Sequence, residues 1–350
     1  MVEFIVLGVI ILIPVIVYWF FNKTATMVRQ ATLEVRYDDN ETLHYYRYTD
    51  FENLFVEEFD FKSNSYSLKG YKYFSNSDNK KYIPIIFTHG LGVGHIQYTT
   101  EIDYLVKQGY DVYTFDGQGC LASQGEGLKY FTNYCKNVDD FLSYLENNVL
   151  KDKKYMLVGH SMGAHSIIIN LNKHKDNIIR AVVLSPYENV KVLLEDQLVK
   201  NIKKTGKIIS SLMFKQELKA NPTYALNSSD ILKDTQVETL VVFGEFDEVL
   251  SLANNYNVFK DASLNNDNVY FMLSKDRYHR PNITKDAAIY DMKRTEQYNE
   301  LKRVASPEEI KKYFDELDYK LLVDMDKEIM DNITIFLQEG KLSSKEIIVG

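Results

Sequence analysis

The most informative segment of the sequence is YMLVGHSMGA, residues 155–164. An apolar run ends at Val158, Gly159-His160-Ser161-Met162-Gly163 follows, and a helix-like pattern begins at Met162. Glycines two positions to either side of a serine permit a sharp strand-to-helix turn that exposes the serine oxygen. The same turn points a helix N-terminus toward negative charge that develops there. The segment therefore predicts a nucleophile elbow with Ser161 as the nucleophile.

Strand-like and helix-like segments alternate on both sides of this turn. Short apolar runs predict buried strands, and longer runs with apolar residues at helical spacing predict helices. The strands are predicted at 82–88, 110–115, 155–158, 179–184, 239–243 and 269–273, and the helices at 96–108, 137–149 and 162–172. Such alternation predicts an α/β fold, with a mostly parallel sheet that helices cover on both faces. Functional groups are expected at the carboxyl ends of the strands.

Three other segments depart from this alternation. Between residues 32 and 73, runs at 33–37, 43–48 and 66–74 predict antiparallel strands at a sheet edge. Residues 188–232 and 284–320 both have helical patterns, and the second segment contains the helix-capping sequence Ser306-Pro307-Glu308-Glu309. Both are candidate helical lids over the strand ends, and simple surface helices are the alternative. Residues 321–339 predict a final helix.

The N-terminal segment is uncharged and mostly apolar from Phe4 to Phe21. As a helix it would be about 27 Å long, near the lower limit for a hydrocarbon core of ~30 Å. Residues 1–24 are therefore predicted to be a transmembrane anchor. Lys23 and Arg29 follow the run whereas Glu3 precedes it, so the charge bias predicts a single-pass protein of the cell membrane with residues 30–350 in the cytoplasm. A cleaved signal peptide and a buried globular helix are the alternatives.

Composition excludes several classes of function. The formal net charge of −8 and the lack of a basic patch argue against a nucleic-acid partner. Cys120 and Cys135 are too few for a disulfide framework. The sequence contains neither a phosphate-binding Gly-x-x-x-x-Gly-Lys loop nor a His-Glu-x-x-His zinc motif. We therefore expect a mechanism that needs no cofactor and no metal.

Two more motifs add a family resemblance to the elbow. Thr88-His89-Gly90-Leu91-Gly92, with His95 and Tyr98 beyond it, resembles the His-Gly oxyanion loop of the monoacylglycerol lipase and serine aminopeptidase branch of the α/β-hydrolase superfamily. Asp116-Gly117-Gln118-Gly119 and Ser123-Gln124-Gly125-Glu126-Gly127 resemble the next motif of that branch, although Cys120-Leu121-Ala122 replaces its short link. The resemblance runs from about residue 60 to 280 and returns in the final helix, and it implies an α/β-hydrolase fold.

Position in the chain predicts which residues are the acid and the base that act with Ser161. Gly244-Glu245-Phe246-Asp247 lies just past the strand predicted at 239–243, where the family places its acid; Glu245 and Glu248 are nearby substitutes. A carboxylate at this place would accept the Nδ1 proton of a histidine and stabilise the imidazolium. His279 is the single histidine after Asp247, and the chain order of this fold is serine, acid, histidine. Asp276 lies close to His279 in the sequence, so it is a further carboxylate that could be taken for the acid.

The resemblance also implies backbone donors for an oxyanion hole. They are the N–H groups of Leu91 and Met162, and such donors are each worth roughly 10²–10³ in rate. His89 and His95 are expected to shape the oxyanion loop through hydrogen bonds rather than proton transfer. His160 and His165, which flank the nucleophile, are interpreted as packing or elbow residues.

The predicted activity is acyl transfer from an ester through an acyl-enzyme on Ser161. The resemblance implies an apolar acyl chain, with monoacylglycerol or lysophospholipid as the leading substrate classes. A thioesterase or a serine aminopeptidase on the same triad is the alternative; the latter needs a carboxylate for the substrate amino group, such as Glu188 or Glu195. A membrane-tethered binding protein on a hydrolase fold is disfavoured, because the chain keeps all three triad residues.

Overall fold

The computed structural model describes the backbone of residues 2–39, 44–77 and 80–350, and the side chains from residue 12 onward. Nine strands are described: β1 (Phe55–Ser63), β2 (Tyr66–Phe74), β3 (Ile85–Thr88), β4 (Val112–Phe115), β5 (Tyr155–His160), β6 (Ile178–Leu184), β7 (Glu238–Gly244), β8 (Val269–Ser274) and β9 (Glu346–Val349). The α-helices are α1 (Val2–Leu33), α2 (Thr99–Lys107), α3 (Phe131–Tyr144), α4 (Met162–His174), α5 (Val190–Ala220), α6 (Ser228–Asp234), α7 (Tyr256–Ala262), α8 (Lys285–Leu301), α9 (Pro307–Asp315), α10 (Tyr319–Leu322) and α11 (Lys327–Glu339).

All nine strands form one sheet in the order β1-β2-β4-β3-β5-β6-β7-β8-β9. The β1–β2 hairpin and the β2–β4 pair are antiparallel, and every other pair is parallel. The predicted α/β class and mostly parallel sheet are thus confirmed. Because β3, β5, β6 and β7 run parallel side by side, the turns that follow them open at the same edge of the sheet.

Side chains of the central strands alternate between two hydrophobic cores. On β5, Leu157 belongs to the core shared with α3, α4 and α5, whereas Met156 and Val158 belong to the core shared with α2 and α11. On β7, Val241 and Leu240 divide in the same way. Helices therefore cover both faces, and every residue of β3 and β5 is buried.

Several predicted elements differ from the structure. Residues 33–37 were predicted as a strand, which is wrong: α1 continues to Leu33, and a lone bridge joins Tyr37 to Cys120. Residue 43 of the run at 43–48 lies outside the described residues, and the chain from 44 to 47 forms no strand. The final helix predicted at 321–339 is broken between α10 and α11, because Asp326 caps the N-terminus of α11 with its side chain.

The predicted membrane anchor is not supported. In the parts of the chain that the structure covers, no helix combines the length and the apolar character needed to cross a membrane. Met1 and the side chains of residues 2–11, which belong to this prediction, lie outside the described residues. The helix also does not end near residue 24, since it runs to Leu33 and buries Ala25 and Leu33 against the domain.

The two segments predicted as lids occupy different places. Residues 188–232 contain α5 and most of α6, and α5 is sharply kinked at Ile202 and Lys203. Beyond the kink the helix turns back, so that a Cβ on Gly206 would lie 2.8 Å from the backbone carbon of Leu198. Residues 284–320 contain α8, α9 and the start of α10, and Ser306 caps α9 with the predicted capping box.

Candidate active site

Ser161 occupies the sharp turn between β5 and α4. Its backbone has φ 53° and ψ −116°, a conformation that is strained for a residue with a Cβ and is typical of functional turns. The flanking glycines permit this turn. A Cβ on Gly163 would lie 2.3 Å from the carbonyl oxygen of Thr88, and one on Gly159 would lie 2.3 Å from the Thr88 hydroxyl. The segment that predicted a nucleophile elbow thus forms one.

Asp247 lies three residues beyond the end of β7, with a fully buried side chain. Its Oδ1 accepts hydrogen bonds from the backbone N–H groups of Val249 and Leu250, at 2.9 and 2.8 Å. Burial acts to raise its pKa, but the His279 imidazole and these N–H donors outweigh burial, and the pKa is held below its usual value. The carboxylate is therefore ionised at neutral pH.

His279 joins the acid to the serine. Its Nδ1 donates to both carboxylate oxygens of Asp247, at 2.9 and 3.0 Å. With the proton held on Nδ1, Nε2 is free to accept, and it lies 2.9 Å from the Ser161 hydroxyl oxygen. The structure thus brings together all three residues that the sequence nominated, in the geometry of a serine–histidine–aspartate triad.

The other nearby carboxylates have different partners. Glu248 accepts the backbone N–H of His279 rather than its ring, at 3.1 Å. Glu245 accepts the backbone N–H of Asp276, and Asp276 pairs with Lys285 at 2.7 Å. The structure therefore favours Asp247 over Glu245, Glu248 and Asp276 as the partner of the imidazole.

Both predicted backbone donors border the space beside Ser161. Met162 is the first residue of α4, so its N–H has no carbonyl partner within the helix. Leu91 follows the His89-Gly90 pair, and both Leu91 and Gly90 line the cavity that contains Ser161. A Cβ on Gly90 would lie 2.8 Å from the Tyr98 hydroxyl, so a glycine is needed there. Leu91 and Met162 therefore both line the cavity in which an oxyanion on a substrate attacked by Ser161 would form.

Tyr98 connects the loop at Gly90, the turn at His160 and, through His160, the loop that carries His279. The sequence motifs did not assign it a role. Its hydroxyl accepts the Gly90 N–H at 3.1 Å and donates to Nδ1 of His160 at 2.8 Å. His160 in turn donates from Nε2 to the carbonyl oxygen of His279 at 2.9 Å. Burial, together with the nearby His279, lowers the pKa of His160 to about 3, so this ring is neutral. The position of Tyr98 beyond the His-Gly motif was the available signal.

The remaining histidines near the turn hold loops together. His89 donates from Nδ1 to the Gly90 carbonyl and accepts the Gly117 N–H at Nε2; burial lowers its pKa to about 4. His95 donates from Nδ1 to buried Asp116 at 2.7 Å. His165 bonds the Tyr187 carbonyl at 2.9 Å. Through these contacts the three histidines connect the backbone of the loops around the nucleophile turn.

An apolar cavity of about 360 Å³ opens beside Ser161. Its walls come from α1, the start of α3, the first half of α5 and the segments that follow β3, β5, β6, β7 and β8. They are lined by Val28, Thr32, Gly90, Leu91, Tyr98, Phe131, His160, Ser161, Met162, Tyr187, Leu193, Leu194, Gln197, Leu198, Val249 and His279. Of residues 188–232, four residues in the first half of α5 line this cavity, whereas no described residue of 284–320 lines it.

A buried ion pair supports the loop that carries His279. Arg280 donates to Oε1 of Glu101 at 2.5 Å, and Asn282 donates to the same oxygen at 3.2 Å. Burial opposes the charge on Arg280, but Glu101 outweighs burial and raises the pKa of the guanidinium. The pair ties the loop to α2, on which Glu101 lies.

We expect Glu101→Ala to lower the free energy of unfolding by about 3 kcal/mol, because Arg280 would keep a largely buried charge without a partner. Urea unfolding followed by circular dichroism measures the change. Asp331→Ala is the control, since it removes an exposed pair with Lys327 and should cost less than about 1 kcal/mol. Equal losses in the two variants would contradict a supporting role for the Glu101–Arg280 pair.

Comparison with known proteins finds one matching family model and several solved structures with a similar fold. A family model described as serine aminopeptidase, S33, matches residues 81–246. An esterase from Pyrococcus furiosus superposes with a TM-score of 0.54 at 19% identity, over 76% of this chain and 98% of the esterase. Est1E from Butyrivibrio proteoclasticus, in a structure with bound ferulic acid, gives a TM-score of 0.48 at 15% identity, over 63% of this chain and 90% of Est1E. No curated protein sequence matches the chain.

The sheet order, the serine elbow and the match of residues 81–246 to the family model support a hydrolase of the α/β-hydrolase superfamily. Within that superfamily, residues 81–246 are similar to the S33 serine aminopeptidases. The matched residues include the oxyanion loop and Ser161 but end before Asp247 and His279. The choice of these last two residues therefore depends on their hydrogen bonds to each other and to Ser161.

Proposed function

We propose that the protein is a serine esterase of the acylglycerol lipase type, which cleaves carboxylic esters of apolar acyl chains. The observation that carries the proposal is the hydrogen-bonded chain from Asp247 through His279 to Ser161 at the wall of an apolar cavity. This arrangement activates a hydroxyl as a nucleophile and offers an apolar acyl group a place next to it.

In the proposed cycle, Nε2 of His279 takes the proton of Ser161 as the serine oxygen attacks the ester carbonyl carbon. The N–H groups of Leu91 and Met162 donate to the oxyanion of the tetrahedral intermediate. His279 then gives the proton to the departing alcohol, which leaves an acyl-enzyme. A water molecule, deprotonated by the same imidazole, releases the free acid. Asp247 stabilises the imidazolium through both carboxylate oxygens.

The cavity lining favours an apolar acyl group. Val28, Leu193, Leu194, Leu198 and Val249 supply aliphatic walls. Burial of each methylene of an acyl chain against such walls is worth about 0.8 kcal/mol. The binding free energy therefore becomes more favourable with acyl-chain length until the chain fills the cavity. Monoacylglycerols and lysophospholipids, which carry one such chain, are the substrate classes that we propose.

The aminopeptidase alternative lacks a feature that it requires. None of the residues lining the described cavity is an aspartate or glutamate, so a free amino group would enter without a carboxylate partner. Glu188 bonds the N–H and hydroxyl of Ser229, and Glu195 pairs with Lys207. Neither is directed to the cavity by these contacts. A thioesterase would bind its acyl group against the same side chains, so an experiment is needed to distinguish it from an esterase.

The proposal predicts that hydrolysis of p-nitrophenyl esters by the full chain rises with acyl length. We expect kcat/KM to be at least about tenfold higher for octanoate than for acetate, because the added methylenes are buried against apolar side chains. Thioesters of the same acids form a parallel series, and peptide p-nitroanilides test the aminopeptidase activity. Folded protein that hydrolyses the anilides or the thioesters but not the oxygen esters would contradict an esterase.

A further inference from the structure

The active-site cavity has a wall from an unexpected element, the N-terminal helix. Val28 and Thr32 lie one helical turn apart on α1, and both line the cavity that contains Ser161. Val28 is half-buried and packs against the main hydrophobic core. The elements that carry the triad and the oxyanion loop all begin more than fifty residues further along the chain.

Specific contacts fix this part of α1 to the domain. Arg29 donates to the carbonyl oxygen of Lys129 at 2.6 Å and to the side chain of Gln216 on α5 at 3.1 Å. Gln216 also donates to the hydroxyl of Thr26 at 3.0 Å. The N–H of Lys129 donates to the carbonyl of Leu33, the last residue of the helix, at 2.9 Å. The helix is therefore bound to α5 and to the segment before α3.

The chain after α1 is attached to the loop that departs from the family motif. The N–H of Leu121 donates to the carbonyl of Tyr37, and the N–H of Tyr37 donates to the carbonyl of Gly119. Arg36 donates to the carbonyls of Ser123 and Gly125, both at 2.9 Å. The loop at 119–125, which includes the replaced link at 120–122, thus binds the segment that follows α1.

We propose that α1 closes the acyl pocket and that Val28 is a specificity-determining residue, which limits the length of the acyl chain bound next to Ser161. The inference rests on the esterase proposed above and names the wall that its acyl group meets. The spacing supports it, because Ala25, Val28, Arg29, Thr32 and Leu33 share one face of the helix toward the domain. Met27, on another face, is 60% exposed.

The test compares two tryptophan substitutions on the same helical turn in the full chain. Val28→Trp places a large side chain in the cavity, whereas Met27→Trp places it in solvent. For Val28→Trp we expect kcat/KM to fall about tenfold or more for octanoate and laurate esters and to change less than about threefold for acetate. Met27→Trp should keep the wild-type profile over the whole series.

A second variant guards against a folding defect of Val28→Trp. Val28→Ala enlarges the cavity, and we expect the ratio of laurate to acetate hydrolysis to rise about threefold or more. Circular dichroism and the rate of labelling by a small fluorophosphonate check the fold and the triad of each variant. If wild type is an active esterase and all three variants keep its profile, the inference is overturned while the esterase stands. If wild type hydrolyses no ester of the series, the proposed function fails and the inference fails with it.

Discussion

Ser161→Ala is expected to lower kcat for ester hydrolysis by about 10⁵- to 10⁶-fold. The variant retains the cavity, the N–H donors of Leu91 and Met162 and the His279–Asp247 pair, but it lacks the oxygen that forms the acyl-enzyme. Alanine also relieves no steric conflict at this turn, since it carries the same Cβ in the same positive-φ conformation. The fold should therefore be maintained.

Steady-state hydrolysis of the preferred ester and labelling by a fluorophosphonate measure this loss together. Ser166→Ala is the matched control, because it removes a buried serine hydroxyl from α4 that bonds the Met162 carbonyl. We expect this control to be labelled and to turn over substrate. Labelling of Ser161→Ala at the wild-type rate would show that a different residue is the nucleophile.

Asp247→Asn is expected to lower kcat by about 10⁴-fold with little change in stability. The asparagine oxygen can still accept the N–H groups of Val249 and Leu250. Its amide group would donate to Nδ1 of His279, which moves the imidazole proton to Nε2. That nitrogen could then no longer accept the proton of Ser161, 2.9 Å away.

The neighbouring carboxylates supply the controls for this substitution. Glu248→Gln keeps an oxygen for the backbone N–H of His279, and Asp276→Asn changes an exposed residue paired with Lys285. Both variants should stay within about tenfold of wild type, as measured by kcat on the same ester. A loss in Glu248→Gln as large as that in Asp247→Asn would assign the acid to Glu248 instead.

The triad could be predicted because each of its signals is local. The elbow at Ser161 depends on two glycines whose absent Cβ atoms allow β5 and α4 to meet within five residues. Asp247 directly follows a strand, and His279 is the single histidine that remains after it in the chain. Since the turns after parallel strands open at one edge, chain order alone predicts that these residues converge.

The strand predicted at 66–74 also coincides with β2.

The membrane anchor predicted for the N-terminal segment is not supported by the described residues, and the ambiguity of its sequence pattern has a physical cause. An apolar run has the same pattern whether it faces lipid, solvent or a protein core. The decisive residues lie beyond the run, where buried Ala25, Arg29 and Leu33 recur every four residues and bind α1 to the domain. A buried arginine is recognisable as a docking residue only when its partners, Lys129 and Gln216, are known.

The sequence by itself determined the α/β class, the elbow and the chain order of the three triad residues. Each of these is visible in short stretches of sequence or in their order along the chain. Only the tertiary structure decided which carboxylate faces His279, that Tyr98 joins the oxyanion loop to His160, and which side chains enclose the cavity. The residues in those contacts are spread along the chain from Val28 to His279. Which of them meet depends on how the helices pack on the sheet. Packing of this kind leaves no periodic signal in the chain, since a half-buried valine on a helix is compatible with many neighbours.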